Sequence, residues 1–307
     1  MKKILLLIAC FSFLQIKAQD TLITVKQFRP TQMSLAFDWG WSAARHTYLA
    51  PLLYNGISYG LHFDRSREMK WNRWENYQLL DVDFASGAAE HGENSDMWTG
   101  RAMYRYAMHW GVVRGVSSFK FQVSGGSKFQ GSSSMVQDGS RGSKLFKNTD
   151  ILIGPYLGAE TGFDYNLKLA AGNNPATVRA VINAGASMLV RHGFSLKGKV
   201  CQVDLLAQMP LLGIGLMPEF GSSYYEAFYL ENNQQTLHFT SLHNQQDVDI
   251  RLGVNMPVSV IPCLKKCKTV IRLGGYYHID TMDINDIVSR YSSVGFTVGW
   301  TWKYLPL

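Results

Sequence analysis

The chain has 307 residues, of which 17% are charged, and its formal net charge is +7. Soluble domains carry about 25% charged residues, so this surface is poor in charge. The basic balance is too mild to indicate a nucleic-acid partner, and no apolar run after the first residues reaches the roughly 18 that a membrane-spanning helix requires.

The first residues have the composition of an export signal. Two lysines precede an apolar run over residues 4–14, and Ala18 is a small residue suited to cleavage. The alternative is a lipoprotein signal at Cys10, but its apolar core would be shorter than the roughly 7–15 residues such a signal needs. We predict a cleaved signal peptide over residues 1–18 and a periplasmic segment over residues 19–33.

Apolar and polar residues alternate along most of the remaining chain. The last segment is the clearest, because Val294, Phe296, Val298, Trp300 and Trp302 stand at every second position. A period of two is the side-chain period of a β-strand with one apolar face. In chain order, the predicted strands begin near Leu35, Ile57, Leu80, Ala102, Phe119, Asp150, Thr177, Ser195, Tyr224, Val248, Ile271 and Val294. We expect about 12 strands, within a range of 10–14, since bacterial single-chain barrels have an even number.

The composition of the two faces indicates the surrounding solvent. A soluble sandwich or lipocalin-type barrel also alternates, with its apolar face inward and a surface rich in Lys and Glu. Here the polar face consists of Gly, Ala, Ser, Asp, Arg and His, and the apolar face ends in aromatics such as Trp302 and Tyr304. The sequence therefore predicts an all-β protein: a closed antiparallel transmembrane β-barrel over residues 34–307, in contact with outer-membrane lipid.

Two connections between predicted strands are long and polar, at residues 86–96 and 125–149. If the N-terminus is periplasmic, both follow odd-numbered predicted strands and face outside. They are the candidate contacts for a small solute or a surface partner. Cys263 and Cys267 flank a short predicted turn and are candidates for a disulfide in an oxidising compartment. A metal site there is disfavoured, because no His or second Cys pair stands nearby.

Charged residues recur on the inward face of neighbouring predicted strands. Because buried charges require partners, they form either an ion-paired filling that keeps the lumen narrow or a polar path or ligand pocket. The predicted lumen network comprises His62, Asp64, Asp81, Asp83, Arg101, Arg105, His109, Asp249, Arg251, Arg272, His278 and Asp280.

The stretch from residue 209 to 247 is the least regular. Pro210 and Pro218 cannot donate ladder hydrogen bonds. Ser241 and His243 raise the idea of an acyl hydrolase, but on an extended chain they point in parallel, and there is no nucleophile elbow. We predict no catalytic residues. The candidate ligand or constriction residues of this stretch are Tyr224, Tyr225, Glu226, His243 and Asn244.

The proline–glycine run at residues 210–213, the block at 222–226 and the block at 241–244 resemble an uncharacterised family of exported β-barrel proteins from Bacteroidetes. The Ala18–Gln19 junction is similar to the export signals of that phylum. The resemblance implies an outer-membrane location and supplies no catalytic residues. Since the sequence lacks phosphate-binding, dinucleotide, zinc-protease and EF-hand motifs, we predict no cofactor and no metal.

The sequence favours a non-enzymatic role. We expect a protein exported by the general secretory pathway to the bacterial outer membrane, acting as a narrow porin-like channel or as an anchor for surface loops. The alternatives are a barrel acyl hydrolase that acts on lipids and a scaffold or assembly component of an outer-membrane complex.

Overall fold

The strands pair side by side into one closed antiparallel sheet. The computed structural model describes residues 31–47, 49–69, 74–89, 96–113, 149–167, 176–197, 199–217, 237–260, 269–284 and 287–304. In chain order, the strands are β1 (Thr31–His46), β2 (Ala50–Glu68), β3 (Trp74–Ala89), β4 (Asp96–Val113), β5 (Thr149–Asn166), β6 (Ala176–Leu196), β7 (Lys199–Leu216), β8 (Leu237–Ser241), β9 (Gln245–Pro257), β10 (Val270–Ile284) and β11 (Ile287–Tyr304).

The ring closes where the first strand pairs with the last. Strand β1 is antiparallel to β11, with Thr31 opposite Tyr304, and β6 pairs with β7 to complete the circle. Strands β8 and β9 both pair with β7, at residues 212–216 and 202–208 respectively. They therefore share one strand position in the barrel wall, and we call each such position a stave. The described residues therefore form a barrel of ten staves. The predicted all-β, closed antiparallel barrel is confirmed.

The two ends of the barrel are defined by the strand termini. The terminal end holds Thr31 and Tyr304, whereas the far end holds the turns from β1 to β2 and from β10 to β11. Buried apolar side chains form three clusters among the described residues. Two lie near the far end: Val181, Met217, Met282, Ile284 and Ile287, and Ala44, Leu49, Tyr54, Ala85, Met97 and Tyr291. The third lies between the middle and the terminal end: Tyr77, Leu79, Met103, Ala107, Leu152, Tyr156, Leu189 and Leu206.

Elsewhere the two faces of the sheet are reversed relative to a soluble protein. Outward side chains are apolar and uncovered: Leu157 is 65% exposed and Ile182 is 70% exposed. Aromatic rings pair across strands on this surface, Trp74 with Trp110 at a centroid distance of 6.0 Å. Buried positions alternate with them and are mostly polar or charged. This arrangement is typical of a barrel whose outer wall contacts hydrocarbon.

The predicted count of 12 strands is not confirmed. The predicted strand near Phe119 lies outside the described residues. The predicted strand between Tyr224 and Thr240 is described only from Leu237 onward, where it forms β8 in line with β9. A one-turn 3₁₀ helix, Val258–Val260, follows β9. Among the described residues, no helix has the length and apolar character needed to cross a membrane.

The sequence-based strand count implied that the two long connections leave the barrel from the same end. They leave from opposite ends. Strand β4 pairs directly with β5, so Val113 and Thr149 both lie at the terminal end. The connection from Ala89 to Asp96 lies at the far end. The prediction counted an additional strand near Phe119 between these two. That extra strand placed residues 125–149 at the opposite end of the barrel.

The boundaries of the predicted regions also shift. Strand β1 begins at Thr31, inside the segment 19–33 that was expected to precede the barrel. Strand β3 extends to Ala89 and so includes the start of the predicted loop at residues 86–96. The signal peptide, the two cysteines at 263 and 267 and most of the loop at 125–149 lie outside the described residues and stay predictions.

Candidate functional site in the barrel interior

Arg251 on β9 is a hub of the charged interior. Its guanidinium donates to Asp81 of β3, to Asp38 of β1 at 3.1 Å, and to Asp249 of its own strand at 3.1 Å. The same group contacts Nδ1 of His62 on β2. A guanidinium presents five N–H donors in one plane, so one side chain serves several acceptors at once. Arg251 thereby joins four staves.

The tautomer of His62 follows from its two neighbours. Arg251 is a donor only, so Nδ1 of His62 accepts its hydrogen bond. The other ring nitrogen, Nε2, lies 3.1 Å from Oδ2 of Asp64 and donates to it. The ring is therefore neutral in this arrangement, and it passes the polar network from Arg251 to Asp64. Arg272 of β10 then donates to the same Asp64 oxygen at 2.7 Å.

A second group of arginines comes from β4. Arg105 donates to Asp247 of β9, and its guanidinium carbon lies 5.2 Å from the centroid of the Tyr156 ring. Arg101 donates to Asp280 of β10 and lies 4.1 Å above the Tyr291 ring. A cation over an aromatic face gains a further attraction. Each of these arginines is thus held both by a carboxylate and by a ring.

Two ion pairs cross the full width of the barrel. Arg101 and Asp280 stand on β4 and β10, and Arg251 and Asp81 stand on β9 and β3. In each case four staves separate the two strands on either side of the ring. We call these two the crossing pairs. They join diametrically opposite walls, so side chains occupy the centre of the lumen at these levels.

Strand β6 supplies two more arginines. Arg179 contacts Asp280 and lies 3.5 Å from Glu160, so it shares both carboxylates with Arg101. Nearer the terminal end, Arg191 donates to Glu75 at 2.6 Å and to Ser66 at 3.0 Å. The polar filling therefore extends along the barrel from the terminal end towards the apolar clusters of the far end.

Acids outnumber arginines in the described interior. Carboxylate oxygens without a hydrogen-bond partner among the described residues include Oδ1 of Asp81, Oε2 of Glu160 and Oδ1 of Asp280. This excess of acidic groups favours cations over anions in the lumen. The buried acids are Asp38, Asp64, Glu75, Asp81, Glu160, Asp164, Asp204, Asp247, Asp249 and Asp280, and the buried arginines are Arg101, Arg105, Arg179, Arg251 and Arg272.

Asp38, His62 and Asp81 present a donor set that a metal could use, since one ligand atom of each lies within 4.8 Å of the others. The guanidinium of Arg251 contacts all three side chains. The chain thus supplies the positive charge at this point from its own arginine, and the residues do not form a separate metal site.

The remaining residues of the predicted network occupy the same interior. His109 is buried and its Nε2 lies 2.8 Å from Oγ of Ser187 on β6. His278 lies 3.1 Å from Asp247 through Nε2. Asp83 stands on the inward face of β3, opposite Arg101 of β4 in register. The structure thus places every predicted network residue on the inward face of the barrel.

Several members of the network were not predicted from the sequence. The strongest omissions are Asp38 and Asp247, each of which accepts a hydrogen bond from a central arginine. Asp247 stands two positions before Asp249, which the sequence had assigned to the inward face, and Asp38 stands in the alternating run of β1. The period of two could therefore have identified both residues. The further omissions are Glu75, Glu160, Asp164, Arg179, Arg191, Asp204 and Gln208.

The second candidate segment is only partly described. Tyr224, Tyr225 and Glu226 lie outside the described residues. His243 and Asn244 form part of a turn between β8 and β9 and do not line the lumen, because His243 is exposed. A role of His243 in binding a ligand stays a prediction, at a position on the outside of the barrel. The turn brings its imidazole Nδ1 into contact with Oγ of Ser241, which an extended chain would not do.

A closed antiparallel sheet with an apolar outer wall and a charged interior defines an outer-membrane-type β-barrel. The chain belongs to the family described as "Protein of unknown function (DUF3316)", whose profile matches residues 4–305. No curated protein sequence matches the chain. The Bacteroidetes origin implied by the sequence blocks is not among these findings and stays a prediction.

Solved structures of outer-membrane barrels resemble the chain over most of its length. The outer-membrane protease OmpT from Escherichia coli is 4% identical with a TM-score of 0.45, covering 93% of this chain and 99% of that one. The translocator domain of the autotransporter NalP from Neisseria meningitidis is 6% identical with a TM-score of 0.33, covering 95% of each. At these values, neither likeness bears on what this chain does.

Proposed function

We propose that this protein is an outer-membrane barrel whose lumen is closed by its own ion pairs, and that it anchors the segments connecting its strands at the membrane surface. The observation that supports this role is the presence of the crossing pairs, which place guanidinium groups across the centre of the lumen. A solute-conducting pore would need that space for water. The anchor therefore accounts for the interior better than a narrow porin-like channel does.

The energetics of the interior support the same role. Removing one partner of a buried ion pair lowers the free energy of unfolding by about 3–5 kcal/mol, because the other charge is left uncompensated in a region of low polarity. Arg101, Arg105 and Arg251 each hold more than one carboxylate. Opening a path through the lumen would require several such groups to separate together, so the closed arrangement is favoured.

An outer-membrane location is supported by the outer wall. Its large apolar side chains, among them Trp39, Trp41, Phe296 and Val298, are exposed in one continuous region of β1 and β11. Water would disfavour such a surface, since exposed apolar patches on soluble monomers are usually small. Hydrocarbon solvates it without cost.

Ion conductance through planar lipid bilayers tests the closed lumen. The purified full chain is expected to add no steady conductance to the bare bilayer. Arg101→Ala removes one crossing pair and leaves Asp280 and Glu160 short of a partner, so this variant is expected to show cation-selective leakage. The matched control is Arg290→Ala, which removes an exposed arginine of β11 and should stay closed. A steady conductance of the unaltered chain would overturn the proposal in favour of a channel.

A further inference from the structure

A serine and a histidine come into contact on the outside of the barrel, apart from the interior network. Oγ of Ser241 and Nδ1 of His243 are hydrogen-bonded in the turn between β8 and β9. With the ring proton on Nε2, the hydroxyl donates to Nδ1, and the imidazole is placed to accept the hydroxyl proton. This is the relation between a nucleophile and its general base.

The backbone around the pair is held by specific hydrogen bonds. The side chain of Asn244 accepts from the backbone N–H of Ser241 at 2.8 Å and donates to the carbonyl of Phe239 at 2.9 Å. The N–H of Asn244 donates to the carbonyl of Ser241 at 3.0 Å, and its carbonyl accepts from the N–H of Asp283 on β10 at 2.8 Å. The turn is thus fixed both to its own stave and to the next one.

The pair lies within the apolar outer wall. Leu237 and Phe239 precede it on the outward face of β8 and are 68% and 62% exposed, and Ile250 and Leu252 follow it on the outward face of β9 and are 37% and 48% exposed. In an outer-membrane location, a lipid is the molecule that contacts such a wall. The acyl ester is the bond of a lipid that a serine nucleophile can cleave.

We propose that Ser241 and His243 form a nucleophile and base that hydrolyse acyl esters of membrane lipids at the outer surface of the barrel. Oγ of Ser241 attacks the ester carbonyl carbon, and its proton passes to His243. The carbon–oxygen bond to the lipid alcohol breaks, and His243 returns the proton to that alcohol. Water then attacks the acyl-serine, gives its proton to Ser241 through His243, and releases the fatty acid.

Asp283 ties the turn to the neighbouring strand. Its backbone N–H donates to the carbonyl of Asn244, one residue from the histidine. The inference does not depend on the closed lumen, since the pair stands outside it.

The test combines covalent labelling with lipid hydrolysis by the purified full chain in detergent. A fluorophosphonate probe is expected to modify Ser241, as located by mass spectrometry. Micelles of a diacyl phospholipid and micelles of lipopolysaccharide are assayed separately for released fatty acid, to distinguish the two sources of acyl ester. Ser241→Ala is expected to abolish release, and His243→Ala to lower it about 100-fold or more.

The matched control is Arg290→Ala, which alters an exposed residue of β11 outside the proposed site and should keep full activity. Heat-modifiable electrophoretic migration shows whether each variant retains the folded barrel. Release of fatty acid from either lipid supports the proposal if it is lost in folded Ser241→Ala, falls in folded His243→Ala and persists in the folded control. Absence of both labelling and release in the folded unaltered chain would overturn it, whatever the bilayer conductance shows.

Discussion

Guanidinium chemistry explains why arginine, rather than lysine, occupies the interior of this barrel. No lysine takes part in the ion pairs among the described residues. The six arginines that contact carboxylates there are Arg101, Arg105, Arg179, Arg191, Arg251 and Arg272. A planar group with five donors binds two or three acceptors from different walls, while an ammonium is a single compact charge with a strong preference for water. The interior therefore depends on the shape of the cation as well as on its sign.

Replacing Arg251 tests this dependence. Arg251→Ala leaves Asp38, Asp81 and Asp249 without their shared cation, so we expect a loss of about 3–5 kcal/mol in the free energy of unfolding. Denaturant titration in lipid vesicles, followed by tryptophan fluorescence, measures it. Arg290→Ala is the control, since that arginine is exposed, and it should change stability by less than about 0.5 kcal/mol. Equal unfolding midpoints for the two variants would contradict a structural role for the network.

At the same scale, the sequence predicts which residues face inward better than it predicts their partners. The period of two places Asp81 and Arg251 on the polar face of their strands, and the structure finds both there. Their contact depends on β3 and β9 standing opposite each other in the ring. That position follows from the number of staves, which local alternation does not determine.

Single strands show why the count was difficult. The stave formed by β8 and β9 is broken by the turn at residues 242–244, so its alternation changes phase between Phe239 and Val248. A pattern read along the sequence then registers two strands where one stave exists. Clear alternation without a break predicted β1, β2 and β11 at the right places, near Leu35, Ile57 and Val294, but these strands begin earlier, at Thr31, Ala50 and Ile287.

Strand β6 contains a close backbone contact that depends on glycine. The register with β7 shifts between Ala184 and Gly185, and a Cβ atom added to Gly185 would lie 2.6 Å from Cα of Pro210 and 2.6 Å from Cε1 of Tyr156. We expect Gly185→Val to prevent most of the chain from reaching the folded, heat-modifiable form on refolding into detergent.

The control for this substitution is its neighbour. Ala186 is exposed on the outer wall, where the two added methyl groups face lipid, so Ala186→Val should fold as the unaltered chain does. Equal yields of folded barrel for the two variants would show that the contact at Gly185 is relaxed by small shifts of β7.

For the molecule as a whole, the solvent of the outer wall decides how surface substitutions behave. Leu157 stands in the middle of β5 and is largely exposed. If hydrocarbon surrounds it, Leu157→Arg should destabilise the barrel in lipid vesicles by about 2–4 kcal/mol, as expected for a charge near the bilayer midplane. Val112→Arg, near the end of β4, should cost about 0–1 kcal/mol. A neutral effect of Leu157→Arg would place this surface in water.

The direction of each connection is also a property of the whole molecule. The stretch between Val113 and Thr149 leaves from the end that carries both Thr31 and Tyr304. The sequence placed this stretch and the connection after β3 on one side of the membrane, whereas they leave from opposite ends of the barrel. One extra predicted strand reverses the side of every later loop, so topology errors propagate along the chain while fold-class predictions do not suffer.

The crossing pairs also bear on how the chain reaches its final circumference. The guanidiniums that neutralise Asp81 and Asp64 belong to β9 and β10, so they arrive only with the last third of the polypeptide. A barrel that closed with one hairpin fewer would have a smaller circumference. Different strands would then stand opposite each other, and the arginines would no longer face their carboxylates. The ion pairs across the diameter therefore favour the barrel with the full number of strands, and they disfavour closure between β1 and any strand other than β11.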